Sequence, residues 1–266
     1  MDMRPGSGDK QIFHMFRALF VRSLVLFSPL LLLAACSDSS QTLNSITTEE
    51  RFRRGMEELQ EEDYQEAQQI FNTIILQDPA SDQADDAQFY LAESYFRNGE
   101  YKLAAFNYNR LRTSFPNSPF YKDAFFRSGE AYYYSSLSYD RDQRETKFAI
   151  DVYRAFSTYY GADSLAPAAK ARIKELESKL AQKDYMTAEL YWKMDEYAAA
   201  LVYYDKVIES YPGTEYFQLA TVGRIRALRE LDRRSEALDA ARKFISENPS
   251  SVMLGQVRQL QQELAP

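Results

Sequence analysis

Amphipathic stretches that end at prolines recur along this chain at a fixed spacing. Pro79 and Pro116 are 37 residues apart, and Pro212 and Pro249 are again 37 apart. Upstream of each proline, apolar residues return every three or four positions, which predicts an amphipathic helix that the proline ends. Aligned on proline, the stretches share alanines and aromatic residues in register, at Ala67, Ala104, Ala200 and Ala237 and at Phe71, Tyr108 and Tyr204.

A fifth copy of the stretch lies at residues 146–161, "TKFAIDVYRAFSTYYG", with Ala149 and Tyr153 in the same positions and Gly161 where proline is expected. A further helical stretch precedes each copy. It carries a small residue twelve positions before the alanine, at Gly55, Ala92 and Ala188. Facing small residues allow two paired helices to approach closely.

This arrangement resembles the tetratricopeptide repeat (TPR), in which two small residues, an aromatic residue and a proline follow one another at set distances. The usual TPR period is about 34 residues. A period of 37 residues therefore implies about one further helical turn per repeat. The sequence predicts an all-α fold, an α-solenoid of about five TPR helix pairs.

The third repeat carries an insertion. Its first helix is predicted through residues 124–136, with Gly129 in the small position, and its second helix is delayed by "LSYDRDQRE" at 137–145. Residues 165–194 then form one long helical run that links the third and fourth repeats, and a closing helix is predicted near 251–264.

The beginning of the chain is typical of a secretory signal. Three basic residues precede an apolar segment of about 13 residues from Ser23 to Ala35, which includes Pro29: Lys10, Arg17 and Arg22. A membrane-spanning helix needs roughly 20 apolar residues, so a cleaved signal fits better than an anchor. Met15 is an alternative start, because a signal from Met15 to Ala35 has a normal size.

The one cysteine of the chain, Cys36, follows Leu33-Ala34-Ala35 directly. This stretch resembles the lipobox of bacterial lipoproteins, which implies cleavage before Cys36 and attachment of diacylglycerol and an N-acyl lipid to that residue. Ser37 in the next position implies sorting to the outer membrane. The predicted organisation is a signal peptide at 1–35, a lipidated flexible tether at 36–48, and a solenoid at 49–266 with N-terminal repeats at about 49–160 and C-terminal repeats at about 165–264.

Charge and residue usage narrow the function. The chain has a net charge of −7, and loss of residues 1–35, which carry +2, leaves −9, so nucleic acid is a poor partner. The one histidine, His14, leaves with the signal, and the one cysteine becomes acylated. Because the commonest general base, the usual zinc ligands and thiol nucleophiles are then missing, we predict no catalytic residue, no metal, no cofactor beyond the lipid, and no enzyme activity.

Two positions on the predicted first helices are rich in aromatic residues. One holds Phe52, Phe89, Phe126 and Tyr185, and the other, seven residues later, holds Leu59, Phe96, Tyr133 and Trp192. In the TPR pattern these positions point to the concave surface, where they could receive apolar side chains of a peptide. Burial in the core is the alternative. The candidate peptide groove comprises Phe52, Leu59, Phe89, Phe96, Phe126 and Tyr133, whereas the fifth repeat has Val222 and Arg229 in these positions.

The lipobox, the repeats and the insertion together resemble the BamD family, the TPR lipoproteins of the outer-membrane β-barrel assembly machinery. The most specific matches are Asp140-Arg141-Asp142, the Arg172-Ile173 step in a long charged helix, and Glu189-x-Tyr191. The family often has a Tyr-Pro-Phe-Gly-Pro-like stretch after the first repeat. Residues 78–82 here read Asp-Pro-Ala-Ser-Asp and keep only the first proline.

The resemblance implies a scaffold on the periplasmic face of the outer membrane, held there by outer-membrane lipid. Its N-terminal repeats would receive unfolded outer-membrane proteins, and its C-terminal repeats would dock on the POTRA domains of the barrel-forming subunit. The candidate docking residues are Asp140, Arg141, Asp142, Arg172, Tyr185, Glu189 and Trp192.

Two other classes of lipoprotein share some of these sequence features. A pilotin-like TPR lipoprotein that assists secretin or pilus assembly has a lipobox and repeats, but is not expected to have the Asp-Arg-Asp interruption. A TPR lipoprotein for glycan uptake needs a large extra segment, for which about 230 residues after Cys36 leave no room.

Overall fold

A computed structural model describes residues 46–265, and these residues form eleven α-helices and no strand. The predicted signal peptide, the lipobox with Cys36 and most of the predicted tether lie outside the described residues. In chain order the helices are α1 (Thr48–Gln60), α2 (Tyr64–Gln77), α3 (Ala84–Arg97), α4 (Tyr101–Ser114), α5 (Tyr121–Ser135), α6 (Arg144–Tyr159), α7 (Ala166–Lys193), α8 (Tyr197–Ser210), α9 (Tyr216–Glu230), α10 (Arg234–Glu247) and α11 (Leu254–Leu264).

The helices stack in pairs, which confirms the predicted all-α solenoid. Each helix packs against the next one along the chain, so α1 and α2 form the first pair and α9 and α10 the fifth. The first helices of neighbouring pairs also touch, with contacts from α1 to α3, from α5 to α7 and from α7 to α9. Helix α11 packs on α10 and α9 and closes the C-terminal end of the stack. Within residues 46–265, no helix is both long and apolar enough to span a membrane.

Short turns join the two helices of four pairs. Each turn has one residue with positive φ, between 57° and 78°, at Glu62, Gly99, Asp195 and Asp232. In the second pair, for example, the Glu100 N–H donates to the Tyr95 carbonyl at 2.9 Å across this residue. A left-handed residue just after a helix lets the chain reverse while the last carbonyls keep hydrogen-bond donors.

A small residue on the first helix and a ring on the second set the distance within each pair. A Cβ added to Gly55 would lie 2.8 Å from the Phe71 ring, and one added to Gly129 would lie 2.8 Å from the Tyr153 ring. In the fifth pair the sizes are exchanged, since Ile225 takes the small position and Ala241 the aromatic one, and both are fully buried. The combined volume is therefore roughly maintained while its two contributors change.

The rings in three second helices are tyrosines, and two of them have a carboxylate partner. The Tyr108 hydroxyl donates to Glu93, and the Tyr204 hydroxyl donates to Glu189 at 2.5 Å. Arg127 of the next pair donates to both oxygens of Glu93, at 2.7 and 2.8 Å. Bidentate pairing with guanidinium compensates for burial of the Glu93 carboxylate.

Tyr153 lacks such a partner, because its buried hydroxyl makes no hydrogen bond with the described residues. Burial raises the pKa of Tyr108, Tyr153 and Tyr204 well above the ordinary value. The neighbouring Glu93 and Glu189 carboxylates, and the charge of Glu130 near Tyr153, raise these pKa values further.

The insertion in the third pair is the loop 136–143 between α5 and α6. The structure starts α6 at Arg144, two residues earlier than the sequence alignment placed the second helix. Helix α7 has 28 residues and packs against α6 of the third pair and α8 of the fourth pair. Its N-terminal half packs on α6, where Arg154 and Glu177 pair at 2.5 Å, and its C-terminal half packs on α8, where Lys206 and Asp184 pair at 2.8 Å.

We predict that Gly129→Ala destabilises the chain by about 1–3 kcal/mol, because the new methyl group must displace the buried Tyr153 ring. Urea denaturation followed by circular dichroism measures the change. Gly255→Ala is the matched control, since a Cβ at Gly255 in α11 meets nothing within 4 Å. The control should be neutral or stabilising by roughly 0.5–1 kcal/mol. Equal effects of the two substitutions would contradict the packing role of Gly129.

We also predict a gain in alkaline stability for Tyr153→Phe. Tyrosine in an unfolded chain has a pKa near about 10, and the folded-state pKa of Tyr153 is raised above that value. Stability from the protonated tyrosine is therefore complete below pH ~10 and falls above it, by about 1.4 kcal/mol per pH unit. Removal of the hydroxyl abolishes this loss and costs little at pH 7, because no hydrogen bond is broken.

Urea midpoints at pH 7 and pH 10.5 test this expectation. Tyr108→Phe is the comparison, since it breaks the hydrogen bond to Glu93 and should lower stability at pH 7 by about 1–3 kcal/mol. A Tyr153→Phe variant that loses stability as steeply as the native chain above pH 10 would show that Tyr153 does not carry this dependence.

Candidate protein-binding surface

The aromatic residues predicted at the second groove position are covered by arginines of the next first helix. The Arg127 guanidinium lies 4.1 Å from the centre of the Phe96 ring, Arg172 lies 4.1 Å from Tyr133, and Arg226 lies 4.1 Å from Trp192. Three consecutive pairs therefore carry the same cation–π contact. Arg172 is one of the predicted docking residues, whereas Arg127 and Arg226 were not predicted, because the repeat pattern aligns positions within helices and not between neighbouring helices.

The predicted groove residues divide between core and surface. Leu59 is 2% exposed and Phe126 is 7% exposed, so both belong to the core. Phe52 is half-buried between the rings of Phe71 and Tyr90, with centroid distances of 5.7 and 5.8 Å. These contacts fill the space between helices, and the three residues leave little apolar surface for a ligand.

Phe89 is also half-buried and stacks on Phe120 at 4.5 Å. Phe96 and Tyr133 are half-buried and lie at the ends of α3 and α5. Of the six predicted groove residues, these last two are the ones that reach a continuous surface of rings.

We name that surface the N-terminal aromatic surface, and it consists of Phe96, Tyr101, Tyr133 and Tyr134. Phe96 lies 5.3 Å from Tyr101 and 5.6 Å from Tyr134, and Tyr101 stacks on Tyr134 at 5.4 Å. Tyr133 meets Tyr134 edge-on at 5.3 Å. With 48% of Tyr134 exposed, the cluster can bind further aromatic or apolar side chains.

The Asp-Arg-Asp loop continues from this surface and packs onto α7. Lys183 donates to the Arg141 carbonyl at 2.6 Å, and Lys179 donates to the Ser136 hydroxyl at 2.8 Å. Burial lowers the pKa of Lys179. The Arg141 guanidinium is exposed and forms no ion pair with residues 46–265.

The two aspartates of the loop accept hydrogen bonds from residues close to them in sequence. Asp140 accepts a hydrogen bond from the Ser138 hydroxyl at 2.5 Å, and Asp142 accepts one from the Arg144 N–H at 2.9 Å, at the start of α6. These hydrogen bonds lower the pKa of both carboxylates. Among the described residues, no group of three His, Cys, Asp or Glu side chains could hold a metal ion.

A groove of about 650 Å³ lies between this loop, α7 and the start of α9. Ser138 and Tyr139 line it on the loop side, and Glu215 and Tyr216 line it on the α9 side. The loop and the C-terminal repeats thus form two walls of one depression, into which a partner could insert.

The other candidate docking residues contact their own chain. Tyr185 lies 6.1 Å from Tyr204 and 5.6 Å from Tyr216, and burial raises the pKa of Tyr185 to about 12. Glu189 accepts the hydrogen bond from Tyr204 described above. Arg172 pairs with Glu175 at 3.1 Å beneath Tyr133, and Trp192 lies under Arg226. Asp140 and Arg141 are therefore the predicted docking residues that are exposed and form no ion pair with residues 46–265.

Several solved structures of TPR proteins are similar to this chain. Solved structures that match include the TPR domain of P58(IPK), at 15% identity over 85% of this chain and 57% of that one, with a TM-score of 0.43. The TPR2AB domain of yeast Sti1 in complex with pHSP90 matches at 17% identity over 82% of each chain, with a TM-score of 0.40. A thermophilic TPR protein of Thermus thermophilus, TTC0263, matches at 15% identity over 82% of this chain and 98% of that one, with a TM-score of 0.34.

No curated protein sequence matches the chain significantly. The sequence profile of the YfiO family, described as an outer membrane lipoprotein, matches residues 44–244, which is about three quarters of the chain. The matched part begins within the predicted tether and extends through the first four pairs and α9 into α10. The chain therefore belongs to the YfiO (BamD) family of outer membrane lipoproteins.

Proposed function

We propose that this protein is a non-enzymatic scaffold of the β-barrel assembly machinery, anchored by lipid on Cys36 to the periplasmic face of the outer membrane. Its partners are unfolded outer-membrane proteins and the barrel-forming subunit with POTRA domains. The observation that carries the proposal is the N-terminal aromatic surface, in which four rings lie together on a rigid helical stack.

The chemistry of this surface suits an unfolded barrel strand. Strands of membrane barrels alternate apolar and polar residues and carry aromatic residues near the membrane interfaces. Tyr101 and Tyr134 offer apolar faces and hydroxyl groups at once. Aromatic pairs contribute about 0.5–1.5 kcal/mol each beyond their burial, so a few contacts hold a client reversibly.

The tether limits how far the solenoid can stand from the membrane. Ten residues separate Cys36 from the first described residue when Cys36 itself is counted. A fully extended chain spans at most about 3.6 Å per residue, so Ile46 lies within about 36 Å of the lipidated residue. The lipid thus raises the effective concentration of the scaffold near a membrane-embedded subunit.

The groove between the Asp-Arg-Asp loop and α9 supports the proposed docking on the barrel-forming subunit. It lies on the C-terminal side of the N-terminal aromatic surface, and the loop that forms one wall also carries the exposed Arg141. A POTRA domain that presents a carboxylate could pair with this guanidinium, while the client is held by the rings.

We predict that Tyr101→Ala combined with Tyr134→Ala weakens binding of an aromatic-rich barrel-strand peptide by about 5- to 100-fold, since two aromatic contacts are lost. Fluorescence anisotropy with the labelled peptide measures the affinity. Tyr159→Ala is the control, because this tyrosine is exposed and lies outside the surface. Unchanged affinity in the double variant, with circular dichroism also unchanged, would rule out the surface as the client site.

The sequence pattern alone suggests a triple substitution of Phe89, Phe96 and Phe126 by alanine. That variant tests folding together with peptide binding. Phe126 is buried against Tyr153 and Phe156, and Phe89 is stacked on Phe120. Alanine at Phe126 should cost about 3–5 kcal/mol of folding free energy. Loss of peptide binding in that variant would therefore report unfolding as well as contact.

The partner assignment has its own test. We expect capture of the lipidated protein from gently solubilised membranes to recover a barrel protein with POTRA domains, identified by mass spectrometry. The variant Arg141→Glu should reduce that recovery, and Arg110→Glu, at a half-exposed arginine on α4 with no ion pair among the described residues, is its control. Recovery of a secretin instead would favour the pilotin-like function.

A further inference from the structure

A row of exposed apolar residues follows one face of the C-terminal half of α7. Met186 is 41% exposed, Leu190 57% and Met194 59%. Their spacing of four residues places them on one side of the helix, one turn apart. With Met194 as the residue directly after α7, they form an apolar strip a little over two turns long, which we name the α7 strip.

In the other first helices, this face packs on the preceding helix pair. Met186 lies two residues before the small position, where other pairs have Tyr90, Arg127 and Gly223. Tyr90 stacks on Phe71 at 6.1 Å, and a Cβ at Gly223 would meet the Tyr204 ring. Leu190 lies two residues after the small position, where the equivalents are all fully buried: Ser94, Ala131 and Ala227.

The α7 strip has no preceding helix to pack on, because α7 serves two pairs. Helix α6 contacts the N-terminal half of α7, with Arg154 on Glu177. Helix α6 begins only at Arg144, and the loop before it touches α7 at Lys183 through the Arg141 carbonyl. Beyond Lys183, Met186 and Leu190 are exposed, so no described helix covers this face as a second helix does in other pairs.

Helix α1 shows which residues occupy this face where no described residue covers it. The equivalents in α1, which has no preceding pair among the described residues, are Arg53 and Glu57, both exposed and paired with each other. Glu50 pairs with Arg53 as well. This face of α1 thus carries charges where no described helix covers it, whereas the α7 strip carries two methionines and a leucine.

We propose that the α7 strip binds an amphipathic helix of another protein, which occupies the place of the missing second helix. Four of the second helices, α2, α4, α8 and α10, have 14 residues. A partner helix of that length is about 21 Å long. Methionine side chains adapt to the surface of such a helix, and burial of the strip gives the binding free energy.

Charged residues of both signs lie at the two ends of the α7 strip. Lys183 lies at its N-terminal end and Lys193 at its C-terminal end, and Arg141 is joined to Lys183 through its carbonyl. Neither Lys193 nor the Arg141 guanidinium forms an ion pair with residues 46–265. Carboxylates lie beside these cations, with Asp140 and Asp142 near Lys183 and with Asp195 and Glu196 directly after Met194. The apolar contact of the strip, and not a net charge around it, therefore selects the partner helix.

Site-specific photo-crosslinking in the full-length, membrane-anchored protein tests the proposal. The photoreactive amino acid p-benzoylphenylalanine is placed at position 190, and at position 202 as a control, because Val202 on α8 is 65% exposed but outside the strip. We expect a crosslink at 190 and not at 202. Mass spectrometry of the crosslinked peptide should identify a helical segment of another protein with apolar residues every three or four positions.

Substitutions then test the chemistry, with the photoreactive residue at position 194. Leu190→Glu should reduce the crosslink by about 10-fold, since it places a carboxylate in the apolar contact. Met186→Glu should reduce it at least about 3-fold, because it places a carboxylate in the same apolar contact. Lys170→Glu, at an exposed lysine of the N-terminal half of α7, should leave it unchanged.

Several outcomes would overturn the proposal: a crosslink to lipid, to a second copy of this chain or to an extended segment, or none at 190 and 194. The double variant Tyr101→Ala and Tyr134→Ala should keep the crosslink at 190. The proposal for the α7 strip is thus tested independently of the proposal for the N-terminal aromatic surface.

Discussion

The contact between a small residue on one helix and a ring on the next is the constraint on which the rest of the solenoid depends. Gly55 against Phe71 and Gly129 against Tyr153 leave no space for one further carbon atom. Because the helices approach so closely, each ring also reaches the first helix of the following pair, as the contact between Gly223 and Tyr204 shows. One position therefore sets the distance within a pair and between pairs. The exchange of sizes at Ile225 and Ala241 maintains the same spacing with different residues.

A tyrosine ring packed in the core also buries its hydroxyl group. A tyrosine hydroxyl in the core needs an acceptor, and Glu93 and Glu189 supply one in two pairs. Phe71 has no hydroxyl, and the first pair has Met56, an apolar residue, where the next three pairs have glutamate. In the third pair this glutamate, Glu130, pairs with Arg127, and the Tyr153 hydroxyl has no hydrogen-bond partner among the described residues. The Glu93 carboxylate in turn attracts an arginine of the next pair, and Arg127 covers Phe96 as a result. The arginine over the Phe96 ring is thus a consequence of the hydrogen bonds that the buried Tyr108 requires.

The insertion in the third pair changes the stack locally. Eight residues between α5 and α6 let the loop fold against Lys179 and Lys183, and α7 grows to 28 residues to contact the pairs on both sides. This interruption creates the groove beside Tyr139 and leaves the α7 strip uncovered. Both proposed docking surfaces thus arise from one departure from the repeat, whereas regular pairs bury the equivalent residues against their neighbours.

The repeat of alanine, ring and proline was sufficient by itself to determine the helices, their pairing and the place of the insertion. These features follow from local periodicity and from packing between neighbours in sequence, which the residue pattern states directly. The division of the aromatic residues was not predictable in this way, because Phe126 and Phe96 both occupy aromatic positions of the repeat but one is in the core and the other is at the surface. Only the tertiary structure decided which rings an arginine covers and which face of α7 lacks a neighbour. Both depend on contacts between helices that are about 30 residues apart, and a single position in a repeat carries no information about them.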